Sequence, residues 1–118
     1  MRKAPAVLRR VIVRGPSMLP GIPDGQRVLV HTRAYRRRGP RSGDVVLVQH
    51  PTRRFRIVKR VAAVPGQACD GRVLGEDEYW LEGDNGTATS DSRTFGALPG
   101  SRILGKVLLG YWPPRRIR

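Results

Sequence analysis

Turn-forming residues cut this chain into pieces too short for ordinary helices, and that constrains its fold most. Fourteen glycines and ten prolines punctuate 118 residues. They concentrate at Pro23-Asp24-Gly25, Ser42-Gly43-Asp44, Pro65-Gly66 and Gly83-Asp84-Asn85-Gly86, sequences that favour tight turns. The stretches between them, Val28–Val30, Val45–Val48, Phe55–Val64, Tyr79–Leu81 and Ile103–Tyr111, are rich in β-branched residues and predict strands. Such a chain reads as all-β, and at this length it forms one domain with a modest core. Arg33 to Arg41 carries five arginines between two strands and predicts an exposed loop. The tail Pro113 to Arg118 is expected to lie outside the fold, because paired prolines end a strand.

The segment Phe55–Val64 is the most informative. Side chains alternate faces along a strand, which places Phe55, Ile57, Lys59, Val61 and Ala63 together on one face. Lys59 is the sole charge on that face, in a protein whose other lysines are only Lys3 and Lys106 among 23 basic residues. Burial lowers the pKa of a lysine, which can then serve as a neutral amine, whereas arginine stays charged. The same placement also suits a lysine whose stem packs on the sheet while its head reaches water. Periodicity alone leaves both readings open.

A base needs a nucleophile. Ser17 lies in Gly15-Pro16-Ser17-Met18-Leu19-Pro20, where glycine and proline constrain the backbone around a small hydroxyl. A serine hydroxyl attacks only once its proton is removed, and a desolvated amine can do this in a Ser–Lys variant of the serine triad. Other chemistries find less support. Cys69 stands alone in a polar turn, so no intramolecular disulfide forms and nothing argues for an oxidising compartment. His31 and His50, the only histidines, have no ligand cluster around them, so no metal or cofactor is expected. No stretch approaches the roughly 20 apolar residues of a membrane span, and Arg9 and Arg10 interrupt the N-terminal apolar pieces where a signal peptide would need about 7–15 in a row. The net charge of +14 suits an anionic partner or an arginine-rich, solvated surface equally.

The motif Gly15-Pro16-Ser17-Met18-Leu19-Pro20 resembles the nucleophile box of the type I signal peptidases. In the same order follow Ser42-Gly43-Asp44-Val45-Val46 and the lysine box Ile57-Val58-Lys59-Arg60-Val61 with Pro65-Gly66. Then come Gly83-Asp84-Asn85 with Ser90-Asp91-Ser92-Arg93-Thr94-Phe95-Gly96, and Ile103-Leu104-Gly105-Lys106-Val107. The likeness runs from Gly15 to Trp112. It implies an antiparallel, partly coiled sheet or barrel at 15–112, flanked by a basic N-terminal segment at 1–14 and a basic tail at 113–118. It implies that Ser17 forms an acyl-enzyme, that its backbone N–H donates to the oxyanion, and that Lys59 is the base. Thr89 falls where many members have a serine bonded to the lysine amine. Asp91 and Arg93 match an ion pair that braces the site, and Met18 would pack under the nucleophile or serve as plain core. Arg60, on the face opposite Lys59, reads as structural.

Two departures refine the resemblance. Gly15 stands where some members place a serine that supplies a second oxyanion donor. The usual membrane anchor and the large insertion after the lysine strand are not evident, since only about twenty residues separate Val64 from Gly83. The chain therefore resembles the minimal, unanchored branch that includes the proteases maturing nickel superoxide dismutase. That implies a cytoplasmic, soluble enzyme removing an N-terminal leader from a precursor, the nickel superoxide dismutase precursor being one such substrate. A peripheral form resting on anionic lipid through its terminal arginines is compatible with this activity. The rival reading is a basic nucleic-acid-binding β-barrel without catalysis. With 6% aromatic residues there is little from which to build a base-stacking platform, so nucleic acid is not the expected partner.

Overall fold

A computed structural model describes residues 7–86 and 90–118. The strands are β1 (Leu8–Ile12), β2 (Arg27–His31), β3 (Val45–Gln49), β4 (Arg56–Ala63), β5 (Ala68–Cys69), β6 (Arg72–Val73), β7 (Glu78–Glu82), β8 (Leu98–Pro99), β9 (Ile103–Trp112) and β10 (Pro114–Arg116). A one-turn helix, α1 (Ser92–Phe95), precedes β8. The main sheet is antiparallel with order β1-β2-β9-β3-β4-β7-β8, while β5 and β6 form a separate hairpin. The all-β expectation holds, and each predicted strand lies within or overlaps an observed one.

Both faces of the sheet are covered, and β3 shows how. Val45 and Leu47 join Val13, Met18, Val28, Val30, Val58 and Val107 in one core cluster. Val46 and Val48 join Val61, Tyr79, Leu81 and Leu98 in a second, with Phe95 of α1 packed against it. A strand buried on both faces shows a continuous apolar run rather than alternation, which is how Val45–Val48 reads. The sheet is strongly coiled. Three strands, β2, β9 and β3, stand between β1 and β4 in sheet order, yet residues of β1 and β4 line one cleft.

Two segments differ from expectation. Part of the basic N-terminal stretch is β1, paired with β2 from Leu8↔His31 to Ile12↔Arg27. Its residues are almost all exposed, so no core-facing alternation marked it. The tail expected to lie outside the fold is held in it. Pro114, Arg115 and Arg116 pair with Tyr111, Gly110 and Leu109 of β9, beyond the stretch where β3 uses that same strand. Pro114 is tolerable here because β10 has no further strand beside it to demand its missing N–H. Gln26 Nε2 donates to the Pro113 carbonyl at 2.8 Å, Arg115 Nη1 to the Gly21 carbonyl at 2.7 Å, and Ile117 packs against the first core cluster.

Candidate active site

The nucleophile loop follows β1 directly. Gly15 has φ +86°, a region open to glycine, and its N–H donates to Asp24 Oδ1 at 2.8 Å. A Cβ here would meet no neighbouring atom, so the preference for glycine lies in the left-handed backbone alone. Met18 is fully buried in the first core cluster and fastens the loop from below. From across the cleft, Asn85 donates its backbone N–H to the Ser17 carbonyl at 2.8 Å and its side-chain amide to the Pro16 carbonyl at 3.2 Å. The loop is thus held on both sides while the Ser17 hydroxyl has no hydrogen-bond partner among the described residues.

Lys59 comes from the middle of β4. It shares its face with Ile57 and Val61, is paired with Val46 of β3, and is only 3% exposed. Among the described residues it makes no hydrogen bond or ion pair, and because no fully buried side-chain nitrogen there lacks a partner, its amine opens onto the cleft. Burial drives its pKa below the ordinary lysine value; the nearby Asp91 carboxylate opposes that shift and the Arg93 guanidinium adds to it. Beside Lys59 no described strand pairs with the outer edge of β4. Its ladder with β7 covers only Arg60 to Ala63, so Arg56 to Lys59 have a strand neighbour on the β3 side alone. Among the described strands, none pairs with the outer edge of β1 either. Between these edges lies a cleft of about 420 Å³ whose walls include Val11, Val13, Ser17, Ile57, Lys59 and Ser90.

Asp91 and Arg93 are brought together as a pair. The buried Asp91 carboxylate takes Arg93 Nη2 at 2.6 Å and Nε at 3.1 Å, the Arg93 N–H at 3.0 Å and the Gly83 N–H at 2.8 Å. Burial alone would raise its pKa, but these donors outweigh burial and hold it below the usual carboxylate value. Arg93 Nη2 also reaches the Gly83 carbonyl at 3.2 Å, and Ser92 Oγ accepts the Leu81 N–H at 2.8 Å. The loop after β7 is therefore tied once to that strand, at Leu81, and twice to Gly83, the residue that follows it. Thr89 lies outside the described residues.

Two contributors went unnoticed in the sequence, and a third, Arg60, reads there only as structural. Ser90 reaches the cleft although it was quoted only as part of a motif. His50 is buried between Phe55 and Phe95, and its Nδ1 accepts the N–H groups of Thr52 and Arg53 at 3.1 Å each. Its proton therefore sits on Nε2, which donates to Ser90 Oγ at 3.3 Å. Burial, with Arg53 and Lys59 nearby, lowers the His50 pKa and keeps the ring neutral. Arg60 binds both oxygens of Asp84 at 2.9 Å, the Gly43 carbonyl at 2.7 Å and the Arg118 carbonyl. It joins β4, the turn before β3, the Asn85 loop and the tail. A histidine before a proline and an arginine on an outer face carry no sequence signal for such contacts. Elsewhere, burial raises the Cys69 thiol pKa and keeps it protonated, and the described residues contain no cluster able to hold a metal ion. No helix among them is long and apolar enough to cross a membrane.

Comparison with known proteins agrees with this architecture. The family model described as "Signal peptidase, peptidase S26" matches residues 4–73 and 68–112. The mitochondrial ATP-independent inner membrane protease subunit 1a of Arabidopsis thaliana is 37% identical, over 86% of this chain and 69% of its own length. A probable signal peptidase I-1 of Synechocystis is 30% identical over 94% and 78% respectively. Signal peptidase IB of Staphylococcus aureus is 27% identical over 86% and 76%. With matches over nearly its whole length, the chain belongs to the signal peptidase family and is a serine endopeptidase.

Proposed function

We propose that this protein removes N-terminal leaders from precursor proteins through a Ser17–Lys59 dyad. The observation that carries the reading is that Ser17 and a buried Lys59, with no hydrogen-bond partner among the described residues, line one cleft between strand edges that no described strand pairs. A neutral Lys59 amine takes the proton of Ser17 Oγ as that oxygen attacks the scissile carbonyl carbon. The carbonyl oxygen becomes an oxyanion and receives the Ser17 backbone N–H, a type of donor worth about 2.7–4 kcal/mol in other proteases. Lys59 then passes its proton to the leaving amine as the C–N bond breaks, leaving an ester on Ser17. Water, deprotonated by Lys59, hydrolyses that ester and restores the hydroxyl. Gly15, Met18, Asn85 and the Asp91–Arg93 pair serve by holding the two sides of the cleft.

The extended segment around the scissile bond would add as a strand to the free edges of β1 and β4. The finer substrate proposal is a precursor with a short leader, cut in the cytoplasm, such as that of nickel superoxide dismutase. The compact connection between β4 and β7, which contains only the β5–β6 hairpin, supports a minimal enzyme of this kind. The family match does not favour the rival nucleic-acid-binding barrel. The test is cleavage of a panel of leader-bearing precursors, including that one, read by intact mass. A single N-terminal cut by the wild type, abolished in both Ser17→Ala and Lys59→Ala, is the expected result. Cutting that persists in either variant would overturn the dyad.

A further inference from the structure

The catalytic cleft does not end at Ile57. A second hollow of about 400 Å³ continues it, lined by Arg9, Arg10, Val11, Arg54, Phe55 and Arg56. Val11, Phe55 and Arg56 belong to both hollows, so the two form one groove. Four of the six lining residues in the outer part are arginines, and no acidic side chain lines it. Arg60, Arg72 and Arg93 are each engaged by a carboxylate, whereas Arg9, Arg10, Arg54 and Arg56 take part in none of the ion pairs among the described residues. The groove also has a direction. Arg54 and Arg56 precede Lys59 by five and three residues, and Arg10 and Arg9 precede Ser17 by seven and eight. Both walls thus lead away from the reacting groups toward the same end. At about 3.3 Å per residue, Arg56 stands roughly 10 Å from Lys59 along β4.

We propose that this outer groove is a subsite for acidic residues of the peptide being cut, beginning about three residues from the scissile bond on one side only. A peptide extended between the edges of β1 and β4 would carry its side chains past Arg56 and Arg54 on one wall and Arg10 and Arg9 on the other. The hollow continues a cleft between two strand edges to which an extended chain can add, which favours a peptide over a bilayer as the occupant. The proposal rests on the protease reading, since it is the bound substrate that reaches the arginines.

The test uses the full-length protein and a neutral peptide cut at one bond, in which Gln at each of positions three to six on either side is replaced in turn by Glu or Lys. Glu is expected to raise kcat/KM over Lys by about 5- to 30-fold on one side of the bond, an effect of one to two ion pairs, and to do little on the other. The preference should shrink as salt rises. The Arg9→Glu/Arg54→Glu double variant, which leaves the lining with two arginines and two glutamates, should abolish it, while Arg36→Glu/Arg37→Glu, which removes equal charge from another loop, should not. Binding of the same peptides to the Ser17→Ala protein, read by fluorescence anisotropy, separates this proposal from the protease reading. One-sided charge selectivity in binding without any cleavage would sink the protease reading and keep the subsite. Cleavage with no charge preference, or a preference equal on both sides, would overturn the subsite. Co-sedimentation with phosphatidylglycerol vesicles that Arg9→Glu/Arg54→Glu abolishes, with peptide preference unmoved, would make the groove a membrane surface and likewise overturn it.

Discussion

The loop carrying Asp91 and the cleft holding Ser17 and Lys59 lie close together and treat polar groups in opposite ways. Asp91 is fully buried and its carboxylate accepts four hydrogen bonds, two of them from the Arg93 guanidinium. Lys59 is almost as deeply buried and has no partner among the described residues. A buried charge with a full set of donors holds structure in place. An amine on a buried stem that opens only onto a cleft gains reactivity, because desolvation favours its neutral form. The contrast sets a structural ion pair beside the group proposed as the base.

The sharpest way to break that contrast is to remove the reacting groups. Ser17→Ala and Lys59→Met should each lower turnover by about 10²–10⁴-fold or more, with melting temperatures no lower than that of the wild type. Circular dichroism melts beside the cleavage assay would check this, and a large loss of stability in Lys59→Met would make the lysine structural. The rate should climb with pH as Lys59 loses its proton, over a range below the ordinary lysine pKa. A flat pH–rate profile from neutral to alkaline pH would remove Lys59 as the base. Stability should also rise through that window, because the unfolded chain still binds a proton there that the folded protein has released. Lys59→Met should abolish this alkaline gain.

Asp91→Ala should act in the opposite direction, destabilising by about 2–3 kcal/mol through lost charge-assisted hydrogen bonds, as denaturant titration would read. Its folded pKa lies below its unfolded value, so its contribution is full above the unfolded pKa and is lost as pH falls through the folded one. The wild type should therefore show an acid-side loss of stability that Asp91→Ala shows less of. If the variant is as stable as the wild type, the pair is not the brace described here. Gly15→Ala should cost about 1–2 kcal/mol for its left-handed backbone, and Asn85→Ala about 0.5–1.5 kcal/mol for the bond to Pro16. Both should lower kcat by loosening the loop, and an unchanged kcat in both would show that the loop needs neither support.

Much of the fold could be read from local pattern. Turn clusters bounded β2, β3, β4, β7 and β9 to within a few residues, because glycine, proline and asparagine act on their own backbone. Alternation along β4 marked Lys59 as the odd charge on an apolar face. Besides the two-residue β5, β6 and β8, which are too short to show a period, the strands that escaped notice are β1 and β10, and these expose nearly all their residues. Their order comes from backbone pairing, which leaves no hydrophobic period to detect.

What the sequence determined by itself was therefore the class of fold, the position of its strongest strands, and the two residues that motif order matches to a nucleophile and its base. Those depend on residues acting on themselves or on near neighbours. Only the tertiary structure decided that β1 curls round to face β4, that Asn85 reaches back 69 residues to the Pro16 carbonyl, and that His50 bonds Ser90 across the cleft's rim. It also decided that the arginines before Ser17 and those before Lys59 face one groove. Each of these joins residues distant along the chain through the coiling of one sheet, and that coiling follows from strand twist and packing on both faces rather than from any local signal.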